Sequence, residues 1–211
     1  MERLFIFGVG GQARELAGVA AALGYVPVLL SQSADKAPSI TSDLEVIEEA
    51  EAVLLDGSAF AIGIGDNIAR ARVAARYQDR LTFPSLLHPD ASFGLGQREF
   101  LSACRGVVVQ AGVRITTNVA VGDFCNFNLN ATVSHDCRIG AFSTLSPGAS
   151  VAGSVHMGAG VWIGVGAVVS NGTADRPLSI GDNTVIGAGA VVIRDCQADA
   201  VYAGVPARRI R

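Results

Sequence analysis

Histidine is the side chain whose ordinary pKa, about 6.5, suits taking and returning a proton at neutral pH. This sequence has three: His88, His135 and His156. His135 is followed at once by Asp136. A carboxylate beside an imidazole can hold one ring N–H and stabilise the charged form, leaving the other nitrogen free to act as a base on an amine or hydroxyl. Taken alone, the pair reads equally as a solvated turn. His88, between Leu87 and Pro89, reads as structural or solvent-facing, and His156 as a surface residue in a corner region.

A second feature is the run Gly8-Val9-Gly10-Gly11, which follows the apolar stretch Leu4-Phe5-Ile6-Phe7. Glycines at such a place let the backbone approach a ligand at the mouth of a helix, where unpaired N–H groups favour a phosphate. A lone turn of this kind names no particular nucleotide, and packing glycines would look similar. The four cysteines, Cys104, Cys125, Cys137 and Cys196, form no CxxC pair. They support neither a zinc ribbon nor a redox motif and read as reduced packing residues.

Two kinds of element must position these groups. Leu4 to Phe7 reads as a strand, Gln12 to Leu23 as a helix and Val26 to Leu30 as the next strand, a βαβ unit with a parallel sheet. Ala59 to Ile64 repeats the strand, Gly65-Asp66-Asn67 the turn and Ile68 to Tyr77 the helix, with Arg70, Arg72, Arg76 and Arg80 at its polar positions. The stretch from Leu81 to Pro89 reads as a last strand that closes a first domain, residues 1–90, on two prolines.

From Val109 the period changes to six. Anchors at 109, 115, 121, 127, 133, 139, 145, 151, 157, 163 and 169 are all apolar, and small residues recur four places after them. Two more hexads begin at Ile180 and Ile186, eleven residues after Val169, so about five residues should loop out within 171–179. A six-residue period fits neither a helix nor a plain strand and calls for a corner every hexad. Short strands around a three-sided coil of eighteen residues, stacked at roughly 4.8 Å as parallel strands, satisfy it. Residues 91–211 are therefore expected to form a parallel β-helix of hexapeptide repeats after a Rossmann-like α/β N-terminal domain.

The hexads resemble those of the hexapeptide-repeat acyltransferases. The further combination of Phe7-Gly8-Val9-Gly10-Gly11, Ile64-Gly65-Asp66-Asn67, His135-Asp136 and the ending Gly204-Val205-Pro206-Ala207-Arg208 resembles the bacterial nucleotide-aminosugar N-acetyltransferases and sialic-acid O-acetyltransferases of surface-glycan biosynthesis. The resemblance covers nearly the whole chain. It implies a left-handed coil, acetyl-CoA as co-substrate with no metal, His135 as general base and Asp136 as its orienting acid. It also implies that Gly8, Gly10, Gly11, Gln12, Gly65, Asp66 and Asn67 hold a nucleotide-linked amino sugar, with the acceptor near His135 against Asn128. The pantetheine arm would pass Thr144, Gly153 and Val165 toward Ala188, and the adenine end would lie near Gly204, Val205, Pro206 and Arg208. Gly153 falls one coil after His135, and its missing side chain would leave room for a thioester carbonyl, with its N–H toward the developing oxyanion.

Two features depart from the family pattern: Ser31 and Gln32 stand where relatives that bind uridine nucleotides carry acids, and Gln12 stands where the family often has histidine. The resemblance further implies a homotrimer whose active sites are shared between subunits. O-acetylation of a sialic acid is the rival within the same class, because one base serves both acceptors. A non-catalytic structural or nucleotide-sensing prism is a more remote alternative. A zinc hydratase of the gamma-type carbonic anhydrase kind would need a His-x4-His spacing, which does not occur.

Sixteen Lys and Arg against nineteen Asp and Glu give a net charge of −3, which argues against a nucleic-acid partner. No apolar run approaches the roughly 20 residues of a membrane span, and the start lacks a signal peptide's cleavage site, so a cytoplasmic protein without membrane insertion is expected.

Overall fold

The computed structural model describes residues 2–32, 44–52 and 57–211. The apolar run at the start forms β1 (Arg3–Phe7), and the glycine turn leads into α1 (Gly11–Ala22) and β2 (Val26–Ser31). Next come β3 (Glu45–Glu48), α2 (Glu49–Ala52), β4 (Ala59–Ile62) and α3 (Asn67–Tyr77). The strands make one parallel sheet in the order β3-β2-β1-β4, so β1, flanked on both sides, is buried from Leu4 to Phe7. Continuous apolar character rather than alternation is what a sheet covered on both faces requires.

The stretch expected as a last strand of this domain behaves differently. Thr82 makes a single bridge to Ala59, while β5 (Leu86–Leu87) pairs with Val108–Val109 and so starts the coil, ahead of residue 90. Two residues cannot close a sheet, but they do provide a first rung.

Beyond β5 the chain winds into three ladders, one for each face of a prism, parallel except for the antiparallel pairing of Tyr202–Ala203 with Arg208–Arg209 that ends the first. On the first face Val108, Asn126, Thr144, Trp162 and Val185 stack in register. The second face stacks Ser92, Arg114, Thr132, Ser150, Val168 and Val191, and the third Ala120, Arg138, His156 and Ser179. All thirteen anchors read from the sequence point inward, the least buried being Val121 at 7% exposure. Full burial of a side chain such as Phe127 or Ile163 contributes up to about 3 kcal/mol. The loop falls between Val169 and Leu178, where expected. A helix the hexad pattern did not announce, α4 (Gln97–Ala103), packs Leu101 against the coil core beside the first rungs.

The corners need a left-handed backbone, which glycine adopts freely and other residues adopt at a cost of roughly 1–2 kcal/mol. Asn118, Asn130, Asp136 and Ser154 have φ between 56° and 61°, and so do two bulky residues, Phe124 and Phe142. These two phenylalanines lie one coil apart on the same edge and stack with ring centroids 5.4 Å apart. Phe83 meets Phe124 edge-on, and Phe7, Phe60 and Tyr77 continue the aromatic cluster into the N-terminal domain. With Val108 packed under Leu4, Ile6 and Ala13, the N-terminal domain sits on the first face of the prism.

Candidate active site

His135 lies two residues after the anchor Val133, at the corner between the second and third faces, and Asp136 is the left-handed residue of that corner. The geometry turns the carboxylate back on its neighbour: His135 Nδ1 is 2.8 Å from Asp136 Oδ2. Asn118, at the same corner one coil earlier, donates to Asp136 Oδ1. These hydrogen bonds, Asn118 first and His135 second, hold the Asp136 carboxyl below the usual carboxylate range. An ionised carboxylate only accepts, so Nδ1 carries the proton and Nε2 presents its lone pair. The imidazole is 61% exposed and makes that nitrogen available.

The coil sets what lies beneath the ring. Ser154 N donates to His135 O at 2.9 Å, which stacks Gly153 under the imidazole. A Cβ at 153 would stand 2.6 Å from Cε1 and 2.7 Å from Nε2. The space left by the missing side chain is therefore filled by His135 itself, a nearer reason for glycine than room for a thioester. A cleft of about 470 Å³ opens beside Asp136, lined also by Asn118, Arg138, Ser154 and His156. His156, expected as a surface residue, is half-buried in that wall.

The N-terminal glycine turns lie elsewhere. Gly8 has φ +109°, and a Cβ there would press on Gly63 O at 3.1 Å, so β1 and β4 end close together. Gly10, Gly11 and Gly65 border open space. The first turn of α1 carries no acidic residue and its N-cap, Gly10, makes no side-chain cap hydrogen bond, so this helix start keeps the positive end that favours an anion. Gln12 donates to Asn128 Oδ1 at 3.3 Å, and Gln110 to the same oxygen at 3.0 Å. Asn128 thus braces α1 against the first face.

Asp66 and Asn67 line a separate cleft of about 490 Å³ with Ile68, Phe142 and Trp162, and their side chains also serve the fold. Asp66 caps α3 through Ala69 N at 2.7 Å, and Asn67 donates to Gly160 O at 2.9 Å. Thr144, expected along the pantetheine path, is 1% exposed, and its hydroxyl donates to Asn67 Oδ1 at 2.7 Å. It serves the junction under α3 and faces no groove. Arg70, read from the helix pattern as a polar-face residue, is also 1% exposed. Its guanidinium reaches six oxygens: Phe124 O, Ile64 O, Gly65 O, Asn67 Oδ1, Phe142 O and Thr144 Oγ1, all within 3.1 Å. Burial pushes this guanidinium down to about 10, with Cys125 and Asp66 opposing. A signal for Arg70 was present in the two phenylalanines, which occupy corners where other hexads place Gly, Asn, Asp or Ser.

Of the remaining expected residues, Val165 and Ala188 are exposed neighbours on the corner between the first and second faces, joined by Gly189 N to Val165 O at 2.8 Å. Gly204, Val205 and Pro206 form an exposed turn after Val201–Ala203, and Arg208 pairs with Ala203 next to a small cleft that Arg194 and Arg209 also line. Three places therefore stand apart on one chain. The Gly8 to Gln12 turn lies over the first face, the Val165 edge flanks that face, and His135 lies on the edge opposite it.

The whole fold has close counterparts. PerB from Caulobacter crescentus, in a complex with CoA and GDP-perosamine, superposes over 100% of this chain and 98% of its own, with a TM-score of 0.85 and 30% identity. The acetyltransferase domain of PglB from Neisseria gonorrhoeae, in complex with acetyl coenzyme A, superposes over 99% of each chain with a TM-score of 0.87 and 29% identity. Among curated proteins, a GDP-perosamine N-acetyltransferase of Escherichia coli is 41% identical over 76 residues, 36% of this chain and 34% of that protein. The chain spans about a third to a half of the length of the curated relatives it matches. No family model matches it.

Proposed function

The chain belongs to the hexapeptide-repeat, left-handed β-helix acetyltransferases of nucleotide-linked amino sugars, and from that premise we propose that it moves an acetyl group from acetyl-CoA to the amine of a nucleotide-linked amino-dideoxysugar. The observation that carries this reading is the exposed His135, its Nδ1 tied to Asp136 and its Nε2 without a hydrogen-bond partner among the described residues. Nε2 takes a proton from the sugar amine as the nitrogen attacks the thioester carbonyl. The C–N bond forms, the C–S bond breaks, and the proton passes from the imidazolium to the departing thiolate of CoA.

The N-terminal residues 1–90 hold the nucleotide in this reading, through backbone N–H groups of the Gly8 to Gln12 turn and the approach past Gly65, and residues 91–211 hold acetyl-CoA. Asn128 would meet the acceptor through its amide N–H, since its oxygen is already shared by Gln12 and Gln110. The arm of the coenzyme would follow Val165 and Ala188 toward Gly204, Val205, Pro206 and Arg208. On a three-sided coil the edge that bears His135 lies opposite the face that carries the Gly8 to Gln12 turn. A sugar held on one chain therefore needs the imidazole of another, which supports a homotrimer with shared sites. Free thiols at all four cysteines suit a reducing, cytoplasmic setting.

The reading is tested with a panel of UDP-, dTDP- and GDP-linked 4-amino-4,6-dideoxysugars, acetyl-CoA and a free-thiol readout. Release of thiol with at least one amine acceptor, and none with the corresponding hydroxyl sugars, is expected. Silence across the panel sinks the proposal. Sedimentation as a monomer would sink the shared site.

A further inference from the structure

We propose that Arg70 is a positioning residue for the acetyl-transfer site, setting how the acceptor-holding domain is seated on the prism. The inference rests on the functional reading above and concerns a residue outside the expected site. Arg70 is 1% exposed. It joins both sides of one seam: Ile64 O, Gly65 O and Asn67 Oδ1 belong to the turn after β4, whereas Phe124 O, Phe142 O and Thr144 Oγ1 belong to two successive coils of the prism.

Three independent features point the same way. First, among the described residues all its hydrogen bonds go to neutral oxygens, so it is not half of a buried ion pair. A planar fork with five N–H donors suits such scattered acceptors, whereas an ammonium does not. Second, the two prism carbonyls it binds belong to Phe124 and Phe142, bulky residues in left-handed conformations that persist where surroundings over-determine them. Third, Asn67 repeats the link by donating to Gly160 O and accepting from Thr144. The seam is thus held by polar contacts of fixed direction and not by apolar packing alone. Because the imidazole that serves a given N-terminal domain comes from a neighbouring prism, a shift at this seam passes directly into the distance between acceptor and base. A misplacement of about 1 Å can cost on the order of a hundredfold in rate.

The test compares Arg70→Lys and Thr144→Val with the intact protein. For Arg70→Lys, kcat with the nucleotide-linked amino sugar should fall about tenfold or more, while KM for acetyl-CoA and the oligomeric state stay unchanged. Thr144→Val, which removes one acceptor at nearly constant volume, should move kcat in the same direction by a smaller factor. Hydrogen exchange should quicken in residues 63–70 and at the 124 and 142 corners, and not at 133–139. Unchanged kcat and exchange in Arg70→Lys would overturn the proposal. So would a parallel loss of kcat, acetyl-CoA affinity and thermal stability, because that is the mark of a merely structural residue. Should the intact protein transfer acetyl to none of the acceptors, the functional reading falls by itself. The exchange experiment then decides whether Arg70 seats the domain.

Discussion

The imidazole of His135 rests on Gly153 of the next coil, where any Cβ would come within 2.6 Å of the ring. Since the ring is exposed, a methyl group at 153 can push it outward without disturbing the buried valines on either side, Val151 and Val155. Gly153→Ala is therefore expected to keep the fold and its melting temperature, and to lower kcat at least about tenfold by moving Nε2 away from the acceptor. Full turnover in this variant would show that the contact does not orient the base.

His135→Ala should lower kcat by about a hundredfold or more, the usual contribution of a positioned general base. Binding of acetyl-CoA, followed by calorimetry, should change little. Unchanged kcat in this variant would assign the base to another group.

Asp136 has a lowered pKa in the folded chain, caused first by Asn118 and then by His135. The folded state therefore favours the ionised form. Its contribution to stability is present above the unfolded carboxyl value of about 3.9 and is lost as pH falls through the lowered folded value. Removing the first cause in Asn118→Ala should shift the Asp136 carboxyl titration upward, read by carbon NMR of the labelled side chain. It should also lower kcat modestly, because the carboxylate then holds Nδ1 less firmly. An unmoved titration would show that Asn118 has no hold on the carboxylate.

How far the residues announced this structure depends on how local each signal is. The hexads were legible because an anchor such as Val133 or Ile163 needs only its own coil to declare its period, and the loop after Val169 appears as a break in that count. His135-Asp136 was legible as a pair, because adjacency in the chain became adjacency in space at a left-handed corner. Arg70 was not. Its acceptors lie up to 74 positions away, and a helix pattern treats an arginine as solvated unless something shows what covers it. Thr144 failed for the same reason, since its outward place on a rung says nothing of the domain seated over that face. The separation of His135 from the Gly8 to Gln12 turn was hidden as well. Sequence order places Asn128 seven residues before it, whereas the prism puts a face and a corner between them.

Thiol reactivity should follow burial. Cys125 is fully enclosed in the coil core and pushed up to about 12, and Cys196 to about 11, each chiefly by loss of solvent. Cys104 is raised too, yet remains partly exposed at the end of α4. Alkylation at pH 8 followed by mass spectrometry should therefore modify Cys104 first and leave Cys125 untouched until the chain unfolds. Early labelling of Cys125 would mean that the coil opens far more readily than its packing implies.

Two glycines separate close approach from backbone conformation. A Cβ at Gly140 would run into Gly158 and stand 2.5 Å from Ala159 N on the next coil. The coils cannot spread to admit it, because Gly140 N is bonded to Met157 O at 2.9 Å and Gly158 N to Ile180 O at 2.8 Å. Gly140→Ala should therefore cost about 1–3 kcal/mol, as overpacking generally does, seen as a melting temperature lower by roughly 2–4 °C per kcal/mol for a chain of this size. Gly148 presents the opposite case. Its φ is +67° and nothing lies within 4 Å of an added Cβ, so the objection to a side chain there is conformational only. Asparagine tolerates that region, and it already does so at the corner position 130. Gly148→Asn should then stay within about 1 kcal/mol of the parent. Equal melting temperatures for the two variants would refute the claim that coil-to-coil contact, and not the bend of the corner, demands glycine at 140.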